Sequence, residues 1–218
     1  MNANICENVG FISLADEMHS LLNLIIKDPD LHSKWINTLS YLENCGAKKI
    51  AACEHPTLVR EELLKHASEE FRHAHYLKRQ IARVTHELMP NYTSAFILGG
   101  TSSLHYLSAL DLKTSRYLKE AGLAKSAIKE ASYLLVTYAI ELRAGELYPV
   151  YENLLRKTGS RVTVKSILLE EKEHLEEMIA GLHKLPNGFM HAEAICSFES
   201  YLCKKWLDAV HSILTEKI

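Results

Sequence analysis

A doubled polar pattern constrains this chain more than any other feature of its sequence. A glutamate is followed three positions later by a histidine in residues 70–73 and again in residues 171–174. Each copy has a further glutamate upstream: Glu43 lies 27 positions before Glu70, and Glu141 lies 30 positions before Glu171. A suitable fold must therefore place two copies of one polar pattern in equivalent positions.

The spacing of apolar residues predicts an almost entirely helical protein. The five prolines stand far apart, and the stretches between them carry apolar residues at the i, i+3, i+4 spacing of a helix face. No stretch alternates apolar and polar residues as a strand would. The predicted helices cover about residues 13–27, 31–53, 56–88, 103–120, 124–157, 161–184 and 190–214.

The upstream glutamates fit two antiparallel helical hairpins, in which residues equidistant from the turn lie side by side. The midpoint between Glu43 and Glu70 falls at Pro56, and that between Glu141 and Glu171 falls at the edge of the turn 157–160. A long crossover, residues 91–124, joins the hairpins. We predict an all-α four-helix bundle with extra helices. It forms a single domain over residues 1–218, with its bundle core at about 31–184 and a C-terminal helix at about 190–214.

The doubled motifs lie on apolar helix faces. At about 100° per residue, Glu70 and His73 are about 60° apart on one face, which they share with Leu63, His66 and Leu77. Glu43, Glu141 and Glu171 lie on similar apolar stripes. A buried carboxylate without a partner is costly, and a metal ion that binds several of them removes that cost.

We therefore predict a dinuclear metal site inside the bundle. Its predicted ligands are four carboxylates and two imidazoles: Glu43, Glu70, His73, Glu141, Glu171 and His174. This is the ligand set of dinuclear carboxylate sites in helical bundles. Carboxylates with imidazole suit iron or manganese better than copper or zinc. Two iron ions are the expected cofactor, with manganese as the alternative.

Several assignments have competitors. Glu146 competes with Glu141, which we prefer because the small Gly145 on its stripe would leave room beside a cluster. His66 is either an additional ligand or a buried, hydrogen-bonded histidine.

Two tyrosines accompany the third helix ligand on its stripe. Tyr138 and Tyr148 flank Glu141, and we assign both a catalytic role, as hydrogen-bond donors behind the ligands or as redox groups; simple packing is the alternative. His75 and His86 point away from the ligand face and are not expected to take part.

Composition excludes several classes of function. A formal charge of −2 and the absence of a Lys/Arg tract predict neither a nucleic-acid partner nor an anionic membrane. None of the five cysteines forms a Cys-x-x-Cys pair, which argues against a zinc ribbon or a rubredoxin-type iron site. The absence of a recognisable signal peptide, together with an odd number of cysteines, predicts reduced thiols and a cytoplasmic location.

With these residues, the chain resembles the ferritin-like di-iron carboxylate superfamily, which includes bacterioferritin, rubrerythrin, the tRNA hydroxylases, demethoxyubiquinone hydroxylase and aldehyde-deformylating oxygenase. The resemblance covers about residues 31–184 and lies in the motif pattern. Residues 140–146 are similar to the third-helix segment of tRNA hydroxylases. The extra helices resemble those of the oxygenase-type enzymes, and the lack of Cys-x-x-Cys departs from true rubrerythrins.

The resemblance implies a non-haem di-iron protein that activates O2 as an oxidase or oxygenase of a small organic substrate. Two alternatives stay open: iron or peroxide handling without an organic substrate, as in a ferroxidase, and a metal-stabilised helical interaction protein. The expected partners are O2 and a small molecule, without nucleic acid or membrane, and a homodimer is compatible with the sequence. We expect residues 91–124 to help form the substrate pocket, with Ile97, Leu98, Tyr106 and Leu107 as its lining.

Overall fold

Seven α-helices and one short 3-10 helix make up the part of the chain that the computed structural model describes, residues 10–215. The α-helices are α1 Ala15–Ile25, α2 Pro29–Ala51, α3 Glu61–Gln80, α4 Gly100–Glu120, α5 Lys125–Lys157, α6 Lys165–Leu182 and α7 Gly188–Thr215. The 3-10 helix, Ile81–Arg83, follows α3 directly. No strand occurs within these residues, so the all-α prediction is confirmed.

The helices pack in two main pairs, α2 with α3 and α5 with α6, which correspond to the two predicted hairpins. The crossover helix α4 packs against α5 and α7, and α1 packs mainly against α5. None of the helices within the described residues combines the length and apolar character needed to cross a bilayer. Cysteines 45, 53, 196 and 203 are free thiols, whereas Cys6 lies outside the described residues.

Local capping explains where α2 begins. The Asp28 carboxylate accepts hydrogen bonds from the backbone N–H groups of Asp30 and Leu31, at 2.9 and 3.2 Å. Pro29 occupies the first turn, where a backbone N–H would have no partner within the helix, so the missing N–H of proline costs nothing. The predicted start at residue 31 was therefore two residues late, because Pro29 opens this helix instead of separating it from the previous one.

Two predicted helices are too long, because side chains hold the neighbouring backbone in loops. Before α3, the Arg60 guanidinium donates to the Cys53 carbonyl oxygen at 2.9 Å, and the helix begins at residue 61 instead of 56. Before α6, the Glu152 carboxylate accepts the Val164 N–H at 2.8 Å, and the helix begins at residue 165 instead of 161. At its other end, α3 gives way to the 3-10 helix after residue 80 instead of reaching 88.

Two large apolar clusters form the core, and polar residues separate them along the helices. The first cluster contains the stacked rings of Trp35 and Trp206, whose centroids are 5.5 Å apart. On α6, Ile167 belongs to the first cluster and Met178 to the second, with the motif residues 171–174 between them. The doubled motif therefore lies inside the protein, between two packed apolar regions.

A buried ion pair ties α5 to α7. The Arg143 side chain donates two hydrogen bonds to the Glu199 carboxylate, at 2.8 and 2.7 Å, and a third to the Ile12 carbonyl oxygen at 3.1 Å. Glu199 is fully buried and also accepts the Tyr106 hydroxyl. The pair therefore joins four segments of the chain: the one before α1, α4, α5 and α7.

Stability should fall in mild acid because of His32, which is buried with its Nε2 2.7 Å from the Tyr151 hydroxyl oxygen. Burial lowers the pKa of His32 from 6.5 to about 4. The unfolded chain therefore binds this proton as the pH falls below 6.5, whereas the folded protein resists it down to about pH 4. We expect the free energy of unfolding to lose about 2 kcal/mol from this group between pH 7 and pH 5.

Urea unfolding at the two pH values measures this effect. His32→Gln should show a smaller loss between pH 7 and pH 5 than the wild type, and His75→Gln, at an exposed position, should show the same loss as the wild type. An unchanged pH dependence in His32→Gln would contradict the assignment.

Candidate metal centre

The six predicted ligand residues converge on one point between the two helix pairs. Their ligand atoms, together with one from His66, form two groups, and within each group all the atoms lie within 4.8 Å of one another. The first group consists of His66, Glu70, Glu141 and His174, and the second of Glu43, Glu70, His73 and Glu171. Glu70 belongs to both groups and occupies the centre of the arrangement.

Each helix of the two pairs contributes. Glu43 comes from α2 and Glu141 from α5, whereas α3 and α6 carry the two motifs. The motifs face each other closely, with His73 Nδ1 3.1 Å from Glu171 Oε1 and His174 Nδ1 3.4 Å from Glu70 Oε1. Neither pair of helices could assemble either group alone.

Buried polar atoms without hydrogen-bond partners point into this space. Among the described residues, six of these atoms belong to the site: His66 Nε2, Glu70 Oε1, His73 Nδ1, Glu141 Oε2, Glu171 Oε1 and His174 Nδ1. An orphaned buried acceptor costs about 1–3 kcal/mol, so this many at one point need a partner. Carboxylate oxygens and imidazole nitrogens fit a hard or borderline cation such as iron or manganese.

Burial and close contact shift the pKa values of the carboxylates and imidazoles at the site. Burial, followed by the charges of Glu70 and Glu171, raises the pKa of Glu43 well above its usual value, and burial and Glu171 do the same for Glu141. Burial lowers the pKa of His174, but the nearby carboxylates outweigh it and raise the pKa to about 11. Metal ions would replace these protons, so binding should release protons.

Two further carboxylates hold the histidines from outside, in a crossed arrangement that the sequence analysis missed. His73 Nε2 lies 2.7 Å from Glu170 on α6, and His174 Nε2 lies 2.9 Å from Glu69 on α3. Each contact occupies Nε2 and leaves Nδ1 directed at the ligand atoms, which fixes the tautomer that a metal requires. The signal was present, since a glutamate directly precedes both Glu70 and Glu171.

Replacing Glu69 with glutamine should weaken metal binding about 10–100-fold, because the loss of its charge makes His174 a poorer and less ordered ligand. A titration against a competing chelator measures the change. Glu62→Gln, at an exposed position of the same helix, is the matched control. Equal affinity for the wild type and Glu69→Gln would mean that the outer carboxylate does not orient the histidine.

His66 lies with the ligands and is also hydrogen-bonded from outside. Its Nε2 is 3.3 Å from Glu141 Oε1, its Nδ1 is 3.2 Å from the Tyr133 hydroxyl oxygen, and it is buried. His66 is thus a buried, hydrogen-bonded histidine whose Nε2 also lies among the candidate ligand atoms. Tyr133 was not identified from the sequence, because nothing in its spacing relates it to the motifs.

The two predicted tyrosines have different surroundings. The Tyr148 hydroxyl donates to Glu43 Oε1 and so lies beside the candidate ligands. Tyr138 lies in the second apolar cluster, which also contains Met178.

Glu141 and Glu146 also differ in position. Glu141 is buried among the candidate ligands, whereas Glu146 pairs with Arg143 and accepts the Leu14 N–H at 3.2 Å. Gly145 is exposed and does not line the cavity, and a Cβ at this position would meet no atom within 4 Å. The α5 helix turns the neighbouring residue, Ala144, toward the cavity instead.

A cavity of about 1080 Å³ reaches the candidate ligands. Its wall includes Glu43, Glu70, Glu141 and Glu171, and most of the remaining inner surface is apolar. The apolar lining comes from α2, α4 and α5 and includes Leu39, Ile50, Leu107, Val136, Ile140 and Leu147. The site is therefore accessible from a large apolar chamber.

The crossover helix forms part of this cavity, although not with all of the predicted residues. Tyr106 and Leu107 line it, as expected. Ile97 and Leu98 do not; both are buried, and Leu98 belongs to the first core cluster. They precede α4, and the Leu98 N–H donates to Thr38 Oγ1 at 2.8 Å, which holds this segment against α2.

Comparison with protein-family models, curated proteins and solved structures gives no match for this chain.

Proposed function

We propose that this protein binds two metal ions, iron in preference to manganese, and uses O2 to oxidise or oxygenate a small organic molecule held in the cavity. The observation that carries the proposal is the sharing of Glu70 between two buried four-residue groups whose carboxylates form part of the cavity wall. A pair of ferrous ions bound there would supply two electrons for the reduction of O2.

The protein itself would orient the substrate, exclude water from the ligand atoms and hold a proton beside them. The apolar lining excludes water from the ligand atoms and orients an organic substrate along the wall that carries Glu141 and Glu171. Burial, reinforced by the charge of Glu43, raises the pKa of Tyr148 well above its usual value, so its hydroxyl keeps a proton. That proton lies between Tyr148 and Glu43, at the edge of the cavity.

The cavity favours an organic substrate over iron handling. A site that only oxidises Fe2+ needs a polar or acidic route for the cation, and it has no use for a large apolar chamber. Here the exposed end of the cavity carries the cationic side chains of Lys49, Arg116, Lys119, Lys125 and Lys129, which we call the basic mouth. Their charge opposes the entry of Fe2+ by this path.

Metal content and oxygen consumption test the proposal. Anaerobic loading with Fe(II) should give two iron ions per chain by elemental analysis. On exposure to O2, at least one compound from a panel of aldehydes, fatty acids, amines and modified nucleosides should change the rate or stoichiometry of oxygen uptake. Glu141→Ala should lose this response, and Glu146→Ala should retain it.

Two outcomes would overturn the proposal. Less than one iron ion per chain would remove the metal centre. Oxygen uptake that always matched the oxidation of the iron, whatever compound was added, would replace the oxygenase with an iron-handling protein.

A further inference from the structure

The cavity is elongated along α5, with cationic side chains at its exposed end and mainly apolar side chains at its inner end. On α5 the lining residues run from Lys125 to Tyr148, which is about 35 Å at a rise of about 1.5 Å per residue. The inner end is closed by Tyr106, Leu147 and Trp206, all buried. A single apolar chain fits such a space better than a compact polar molecule does.

The basic mouth has more positive charge than its surroundings neutralise. Lys49 pairs with Asp111 at 2.8 Å, and Asp111 is the acidic side chain that lines this end. Within residues 10–215, no ion pair holds Arg116, Lys119 or Lys125. Lys129 is likewise exposed and without an ion pair in this part of the chain. An anionic group placed here would meet several cations at once.

The distance between the basic mouth and the candidate ligands indicates how long the tail of a bound molecule must be. Along α5, Lys129 and Glu141 are about 18 Å apart. An extended hydrocarbon chain with C–C bonds of about 1.5 Å at tetrahedral angles needs about 14 carbons to cover that length. A molecule anchored by its head at the mouth would therefore pass its tail beside Glu141.

We propose that the substrate of the cavity is a long-chain amphiphile with an anionic head, a carboxylate or a phosphate, which binds with its tail in the apolar chamber and its head at the basic mouth. The inference rests on the proposed function for the fate of the bound molecule. The binding itself needs only the cavity and the mouth, so it is testable in the metal-free protein.

Isothermal titration of the metal-free full-length chain with four probes of equal tail length tests the inference. The probes are tetradecanoate, tetradecyl phosphate, tetradecanol and tetradecyltrimethylammonium, with the ions used below their micelle concentrations and the alcohol below its solubility. At least one anion should bind about tenfold or more tightly than the alcohol, and the cation should bind most weakly. A preference between the two anions identifies the head group. Added salt should reduce the advantage of the anions, because exposed charges are screened.

Two double variants distinguish an effect of the basic mouth from an effect of the protein's overall charge. Arg116→Ser combined with Lys119→Ser should weaken binding of the anions about tenfold and leave the alcohol unchanged. Lys113→Ser combined with Lys205→Ser removes the same charge beside Tyr201, away from the cavity lining, and should leave all four probes unchanged.

Thr137→Trp, which places a large ring in the cavity wall, should reduce binding of every long-chain probe. Circular dichroism verifies that this variant is folded. If it fails to fold, Ala144→Leu, also in the lining, makes the same test.

The result that overturns the inference is equal affinity for the alcohol and both anions, or no binding of any probe. Measuring the metal content of the same preparation distinguishes a failure of the amphiphile proposal from a failure of the proposed function. Two iron ions without amphiphile binding would remove the inference and leave the proposed function. Amphiphile binding by a chain that takes up no metal would support the inference on the ligand and remove the proposed function.

Discussion

Replacing Glu70 with alanine should abolish binding of both metal ions, because this carboxylate belongs to both ligand groups. We expect the affinity to fall by more than about 100-fold, which exceeds the effect of losing an outer partner of a ligand. Elemental analysis after iron loading and gel filtration measures the loss. Glu62→Ala, exposed on the same helix, should bind as the wild type does.

A comparison with Glu43 makes this prediction sharper. Glu43 belongs to one ligand group only, so Glu43→Ala should retain close to one ion per chain, whereas Glu70→Ala should retain close to none. Equal metal content in the two variants would contradict the central position assigned to Glu70.

Replacing Arg143 with methionine should destabilise the protein by about 3–5 kcal/mol, because the fully buried Glu199 would lose its cationic partner. Urea unfolding of the metal-free protein measures the change. Arg156→Met, exposed on the same helix, is the control and should cost less than about 0.5 kcal/mol.

The double variant distinguishes the loss of the pair from the loss of packing. Arg143→Met combined with Glu199→Leu removes both buried charges and should recover most of the stability, since apolar groups of similar volume often replace a buried ion pair at little cost. A single variant that unfolds like the wild type would show that water reaches Glu199.

The helices and the candidate ligands were predictable because both depend on spacing along the chain. The periodicity of α3 and α6 places Glu70, His73, Glu171 and His174 on buried faces, and the structure has them there. The positions of the turns then put Glu43 and Glu141 at the matching level.

The features that were missed depend on contacts between distant segments. The starts of α3 and α6 are set by Arg60 and Glu152, which bind backbone atoms of neighbouring loops. Glu69 and Glu170 reach their histidines only because α3 and α6 face each other in the folded protein. From their positions on the two helices alone, we would expect both side chains to face solvent.

The cavity was only partly predictable for the same reason. Its apolar lining comes mainly from three helices, and the pattern of one helix cannot show whether an apolar side chain faces a neighbour or an open space. Tyr106 and Leu98 look equally suited to a pocket in the sequence, yet only the first lines one.

The repeated motif is not a perfect copy, and its difference makes the two halves of the centre unequal. His66 precedes Glu70 by one turn of α3, and the residue at the same place in α6 is Ile167. One ligand group therefore has two imidazoles and two carboxylates, and the other has one imidazole and three carboxylates. Because anionic ligands favour the more oxidised state of a metal, the two positions would differ in reduction potential. This single difference between the two helix pairs, His66 in α3 against Ile167 in α6, would thus make the two positions of a bound metal pair unequal.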